Sequence, residues 1–305
     1  MKAIGLRRHD QPTILELMEI AVPGIDDNEV LVRIKAIGVG LHDRWYLPTK
    51  YEYPYVIGIE AAGIIEKTSE SVTGHPPGSR VMFTSSMHPK GGVWAEFAAV
   101  PEAALVVIPD ELDFVRAAAL PVAGSTALES IRALGLSPND SVFMAGASGA
   151  IGTLTIQLAK AIGCRIAASA SSKNHEYMRS LGAEKTVDYR DPDWVDQVRA
   201  WMPEGVDAAL AIQPNTGLGC LRVVKDGGKV VTVSGDPLTA ERGIQVTQVM
   251  VGLEAKKALG QLASEVASGA IHVEVERTYP FDQGIEALEK TETRHARGKI
   301  VLTLP

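Results

Sequence analysis

Cysteine is almost missing from this chain: two residues, Cys164 and Cys220, in 305. Two thiols cannot build a four-cysteine zinc lobe or a disulfide framework, so both read as small apolar residues of a reduced compartment. Long apolar runs are missing too. "LVVIPD" from Leu105 and "VVTVSG" from Val230 are strand-sized, well short of the roughly 20 residues that cross a bilayer. The opening "MKAIGLRRHD" lacks an apolar core of signal-peptide length, so no membrane partner and a cytoplasmic location are expected. No cluster of Lys or Arg tracks a phosphate backbone, and 30 basic against 37 acidic residues leave a net charge of -7; nucleic acid is not an expected partner. Solenoid-length repeats and low-complexity tracts are also absent.

What is present is apolar content, 46% of the chain, enough over this length for about two cores. The first hundred residues are strand-like: "EVLVRIKAIGVG" from Glu29, "IGIEAAGIIEKTSE" from Ile57 and "GSRVMFTS" from Gly78 are separated by turn residues such as Pro76 and Pro77. From about Phe114 the pattern changes. Helix formers broken at Pro121 lead into "SVFMAG" and "AIGTLTIQLAKAIG", and further strands then alternate with helices up to "GKVVTVSG". That alternation predicts a doubly wound α/β domain. "EAKKALGQLASEVASG" predicts an amphipathic helix stopped at Gly269, and "KIVLTL" a last strand that could return to the first domain.

Between "SVFM" and the helix lies "AGASGAIG", with Gly146 before an A-x-G-x-x-G pattern running Ala147, Ser148, Gly149, Ala150, Ile151, Gly152. Following a strand and opening a helix, it reads as a dinucleotide fingerprint. The tight turn is assigned to Ala147, the approach of a pyrophosphate to Gly149, and close packing to Gly152, with the free amides and positive dipole end of the helix facing the phosphates. An NAD-binding chain sets a carboxylate about 20 residues further on. Here "ASASSKN" offers Ser171, Ser172 and Lys173 instead, groups that suit a 2′-phosphate, so NADP(H) is the expected cofactor. Lys173 as an ordinary solvated lysine at a helix start is the alternative.

"EVLVRIKAIGV", "PYVIGIEAAGII", "GGVWAEFAAVP", "AAALPVAGSTALESI", "GASGAIG", "SLGAEKTVDY" and "RGKIVLTL", in this order and spacing, resemble the medium-chain dehydrogenase/reductase superfamily, in particular its zinc-independent quinone oxidoreductase branch. The resemblance implies a GroES-like β-rich catalytic domain plus a doubly wound Rossmann dinucleotide-binding domain: residues 1–117 as the first part of the former, 118–254 as the latter, and 255–305 returning to the catalytic domain. Zinc-dependent members place ligands where this chain has Gly40, Ile59 and Ala123, none of which can coordinate zinc; no metal is expected. The acceptors implied are quinones and α,β-unsaturated carbonyls, reduced by direct hydride transfer, with enoyl-thioester reduction and non-catalytic NADPH binding as alternatives.

Tyr46 in "HDRWYLP" matches a tyrosine of the loop that lines the cleft in this branch, and is either a proton donor or a packing ring. Asp43 matches the family's acid, which orders that loop more often than it transfers protons. Gly40 replaces an asparagine of the branch. Thr126 in "GSTAL" matches a threonine beside the nicotinamide, and Tyr189 matches a tyrosine flanking the 2′-phosphate. Tyr51 in "YEYPYVIG" is a second cleft candidate, equally readable as part of a loop entering a strand. Lys299 approaches the cofactor by the same analogy. "GIQVTQVMV" from Gly243 looks like the outer strand that pairs across the two-fold axis of a homodimer.

Overall fold

The structure, a computed structural model, describes residues 1–8, 14–85, 87–250 and 253–305, with the backbone alone for 253–255. His9 and Asp10 of the opening stretch, Ser86, and Val251 of the expected outer strand lie outside the described residues. The chain divides into two units: Met1–Val122 with Leu259–Pro305, and Ala123–Ala258.

Alternation builds the first unit. Its strands are β1 (Lys2–Leu6), β2 (Glu16–Glu19), β3 (Glu29–Val39), β4 (Tyr55–Val56), β5 (Glu60–Thr68), β6 (Arg80–Thr84), β7 (Phe97–Pro101) and β8 (Leu105–Val107), followed by a short helix α1 (Phe114–Ala118). A proline at the first helical position costs no hydrogen bond, and Pro121 opens α2 (Pro121–Leu134). Thus the break expected at Pro121 is a helix start, and α2 carries the chain into the second unit.

The second unit runs β9 (Ser141–Ala145), α3 (Ala150–Ile162), β10 (Arg165–Ser169), α4 (His175–Leu181), β11 (Lys185–Val187), α5 (Trp194–Trp201), β12 (Val206–Ala211), α6 (Gly217–Val223), β13 (Val224–Thr232) and β14 (Gln245–Gln248). Its sheet has the order β11-β10-β9-β12-β13-β14, with every pairing parallel. Side chains of neighbouring strand residues point to opposite faces. Val142 and Met144 accordingly join one buried cluster with Ile166 and Leu210, while Phe143 and Ala145 join the other with Val206 and Val230. Both faces are covered, as a doubly wound Rossmann sheet requires. The stretch read as an outer strand forms β14 at one edge.

Helix α7 (Leu253–Ala267) leads back into the first unit, where β15 (Val275–Pro280), α8 (Gly284–Glu292) and β16 (Lys299–Thr303) complete it. The "KIVLTL" segment is β16. It lies between β15 and β3 in a seven-stranded sheet of order β15-β16-β3-β5-β6-β8, with β7 also paired to β3. A three-stranded sheet, β2-β1-β4, completes the β-rich GroES-like architecture, whose core centres on Trp94, Phe83, Ile4 and Ile57.

Candidate functional site

The glycine turn leaves β9, the strand at which the order reverses direction, the position where such sheets bind ligands. Its three glycines do three different things. Gly146 has φ +79°, and a Cβ there would meet Gln213 Cγ at 2.6 Å. The left-handed turn therefore falls on Gly146 and not on Ala147, where the sequence pattern had put it; Ala147 is buried, and its amide donates to the Ser169 carbonyl at 3.0 Å. At Gly152 a Cβ would collide with the Ala147 Cα at 2.5 Å, so its bareness lets the first turn of α3 sit on the loop. At Gly149 a Cβ would meet nothing nearer than 3.7 Å. The chain itself does not need that glycine, which leaves open space in front of the α3 N-terminus. Gly149 is also the helix N-cap and supplies no side chain to it, so the first amides of α3, on Ala150 and Ile151, stay available to an anion. These residues fit a pyrophosphate.

Beside the turn, Ser171 precedes a single 3₁₀ turn over Ser172–Asn174. Asn174 is buried; its Nδ2 donates to Ser148 Oγ at 3.1 Å and Ser171 Oγ at 3.3 Å, tying the glycine turn to the end of β10. Sequence reasoning passed over this residue. Ser172 and Lys173 are exposed. A carboxylate does approach, from the end of the next strand: Asp188 Oδ2 accepts the Ser172 amide at 2.9 Å. The same carboxylate receives Arg190 through Nε at 2.9 Å and Nη2 at 2.6 Å, and that guanidinium holds the carboxyl well below the usual carboxylate range. Asp188 thus anchors the Arg190 guanidinium beside the Ser172 amide. Arg190, 5.7 Å from the centre of the exposed Tyr189 ring, was also missed, although it directly follows "KTVDY". The rim thus gathers Ser171, Ser172, Lys173, Tyr189 and Arg190, a set that fits a 2′-phosphate. Thr126, in the same unit, is buried on α2, and its carbonyl accepts Ser130 Oγ at 2.7 Å.

The remaining candidates belong to the first unit. Residues 40–47 form a turn closed by the Asp43 amide to the Gly40 carbonyl (3.2 Å) and the Tyr46 amide to the His42 carbonyl (2.9 Å). Tyr46 is 45% exposed and Trp45 62%, so this turn displays aromatic rings; the Tyr46 ring lies 5.3 Å from that of His42. Tyr51 is differently held. Its hydroxyl is 3.2 Å from that of Tyr53, its ring 4.7 Å from Tyr55, and the bond to Tyr53 pushes its pKa up to about 12. A phenol so weakened is a poor proton donor and a good wall.

Asp43 is 1% exposed. Its Oδ2 accepts the Gly40 amide at 2.8 Å and the Trp94 indole Nε1 at 3.2 Å, while its Oδ1 is buried with no hydrogen-bond partner. Gly58, at φ +101°, makes the indole contact possible, since a Cβ there would overlap the Trp94 ring. Burial pushes the Asp43 carboxyl up to about 7, against the pull of the Gly40 amide and of Lys299, and Glu60 adds to the rise. Glu60 and Lys299 are buried and paired; the other Glu60 oxygen accepts the Val122 amide at 2.7 Å, in the first turn of α2. Lys299 is thus a core partner of Glu60.

A zinc site does not fit these residues. Gly40 and Ile59 bring no donor atom to this unit and Ala123 brings none to the other. Among the described residues no group of three or more His, Cys, Asp or Glu is arranged to hold a metal ion.

A β-rich unit joined to a parallel sheet with a phosphate-ready glycine turn defines a pyridine-nucleotide oxidoreductase fold. Comparison with known proteins narrows the class. Residues 26–110 match the alcohol dehydrogenase GroES-like domain family, and residues 181–302 the family described as zinc-binding dehydrogenase. The chain is 30% identical to the 2-methylene-furan-3-one reductase of Solanum lycopersicum, over 99% of its length and 79% of that protein's. It is also 30% identical to the chloroplastic NADPH-dependent alkenal/one oxidoreductase of Arabidopsis thaliana (93% and 74%), and 26% identical to the Sus scrofa quinone oxidoreductase (100% and 98%). An NAD-dependent alcohol dehydrogenase crystal structure superposes with a TM-score of 0.91 at 26% identity, covering 100% of both chains. The Escherichia coli quinone oxidoreductase complexed with NADPH gives 0.88 at 23%, again over 100% of both, a likeness of fold. The chain belongs to the medium-chain dehydrogenase/reductase superfamily, among its quinone oxidoreductase and enone reductase members, the zinc-independent branch. It is an oxidoreductase of that type.

Proposed function

We propose that the protein is an NADPH-dependent reductase that delivers hydride directly to a quinone or an α,β-unsaturated carbonyl compound without a metal. The observation that carries this reading is the pairing of an open glycine turn at Gly149 with a cationic rim, Lys173 and Arg190, whose nearest carboxylate is already occupied. The Arabidopsis relative, described as NADPH-dependent and acting on alkenals and alkenones, supports it. So does the Escherichia coli structure with NADPH.

In this reading the continuous unit is the NADP(H)-binding domain and the discontinuous one is catalytic. The glycine turn from Gly146 to Gly152 seats the pyrophosphate, which the available amides of Ala150 and Ile151 hold; Ser171, Ser172, Lys173, Tyr189 and Arg190 hold the 2′-phosphate; Thr126 orients the nicotinamide. NADPH, when bound, supplies the hydride from its nicotinamide ring. Tyr46 offers the hydroxyl proton that the reduced acceptor's oxygen takes up, Tyr51 walls the acceptor, and Asp43 orders the turn that carries Tyr46. With no metal to polarise a carbonyl, acceptors that take hydride without one are preferred over simple aldehydes. A homodimer paired through β14 in the cytoplasm belongs to the same proposal.

The test is NADPH and NADH oxidation by EDTA-treated protein against a panel of quinones, enones and one aldehyde. Turnover of a quinone or enone with preference for NADPH is expected. Tight NADPH binding without turnover of any acceptor would leave a binding protein and remove Tyr46 from a chemical role.

A further inference from the structure

The Asp43 carboxyl is used asymmetrically. Two donors, the Gly40 amide and the Trp94 indole, converge on Oδ2, and none reaches Oδ1. A carboxylate normally spreads several hydrogen bonds over both oxygens, and a buried charged oxygen without a donor is costly. A neutral acid suits this arrangement better, with the carbonyl oxygen as double acceptor and the proton on the other oxygen. The surroundings agree. The charged groups that act on Asp43 are Glu60 on β5, which repels a second negative charge, and Lys299 on β16, which is engaged by Glu60. Trp94, from the segment before β7, brings a donor that cannot titrate. On Asp43's own turn, His42 is held below the ordinary imidazole range by burial and by the charge of Arg294, so it brings no fixed positive charge. At Gly40 a Cβ would lie 3.3 Å from Oδ1, so the residue that could have carried a polar partner carries no side chain.

We propose that Asp43, carrying its proton on Oδ1, is the positioning residue that fixes the segment from Gly40 to Leu47, and that ionising it loosens this segment and the Tyr46 it carries. Removing the proton puts a charge on an oxygen with no donor beside Glu60. The cheapest relief is to admit water, which means parting the Gly40 and Trp94 contacts that close the turn. The proposal extends the catalytic reading of Tyr46 and rests on it for its effect on rate, whereas its structural half stands by itself.

Hydrogen–deuterium exchange of the full-length protein, corrected for intrinsic exchange, separates the two halves. Protection of amides in residues 40–47 is expected to fall at least tenfold between pH 6 and pH 8, to stay level across that range in Asp43→Asn, and to be low at both pH values in Asp43→Ala. With NADPH and 1,4-benzoquinone, wild-type kcat/KM is expected to fall over the same interval, and Asp43→Asn is expected to lose that limb of the profile. Equal pH dependence of protection in wild type and Asp43→Asn would overturn the proposal, as would wild-type protection in Asp43→Ala. Absence of turnover in every form would instead sink the reductase reading and leave the exchange result standing.

Discussion

A proton shared unequally between the folded and unfolded chain has a thermodynamic signature at Asp43. The folded state keeps the proton up to about pH 7, whereas the unfolded chain releases it near the ordinary carboxylate value. Between those pH values the folded state binds more protons, so the stability from the neutral acid is full at low pH and is lost as pH rises through about 7. A shift of this size corresponds to on the order of 4 kcal/mol. Denaturant melts at pH 5 and pH 8 should show Asp43→Asn with a flatter pH dependence than wild type, and equal slopes would refute the assignment. At the rim, Lys173→Ala and Arg190→Ala are each expected to raise the KM for NADPH roughly tenfold or more, the scale of one lost charge-assisted bond, with NADH barely affected. Steady-state kinetics with both cofactors decides it. Much of this scale was hidden in the sequence. Lys173 and Tyr189 stood out as candidates because each sits in a motif. Arg190 and Asn174 act through partners, Asp188 at the end of another strand and Ser148 from 26 residues upstream, and linear spacing says nothing about such meetings. Likewise Asp43 was legible as an acid, but the Trp94 indole that fixes it is 51 positions away.

Strands and helices were the most readable level, because period-2 and period-3.6 burial are written directly in residue order. That order alone was enough to place β9, the glycine turn and α3. What it could not tell was which glycine bends the chain, since Gly146 and Ala147 are both small and only the backbone dihedral separates them. The glycines of this element are experimentally separable. Gly152→Ala forces a methyl against the Ala147 backbone and is expected to destabilise the protein by about 1–3 kcal/mol, visible as a lowered Tm. Gly149→Ala meets no atom of the chain closely, so its Tm should stay near that of the wild type while NADPH titration shows a Kd raised at least tenfold. A lowered Tm in both variants, or unchanged NADPH affinity in Gly149→Ala, would remove Gly149 from the phosphate site. Very short strands resisted the pattern: β4, two residues long, offers no period to detect.

For the molecule as a whole, the Glu60–Lys299 pair joins β5, β16 and the first turn of α2 in one buried contact. Removing one partner of such a pair strands the other charge, at a cost of about 3–5 kcal/mol. Lys299→Met is therefore expected to lower the denaturation midpoint sharply, and Glu60→Gln with Lys299→Met to recover part of the loss; a double variant no more stable than Lys299→Met would argue against coupling. The sequence showed a terminal strand that could return to the first domain, yet not that it enters the interior of a sheet between β15 and β3, because strand order is a property of topology and not of composition. That placement also sets an order of events during synthesis. The parallel sheet of the second unit is complete in a nascent chain once β14 has left the ribosome, but the stretch of β3 from Ala36 to Val39, beyond the part that β7 pairs, must wait with one edge unmatched until β16 emerges after all of the second unit. The β-rich unit is thus the last to close, and the interval before it does is when chaperones and proteases have access to its open edge.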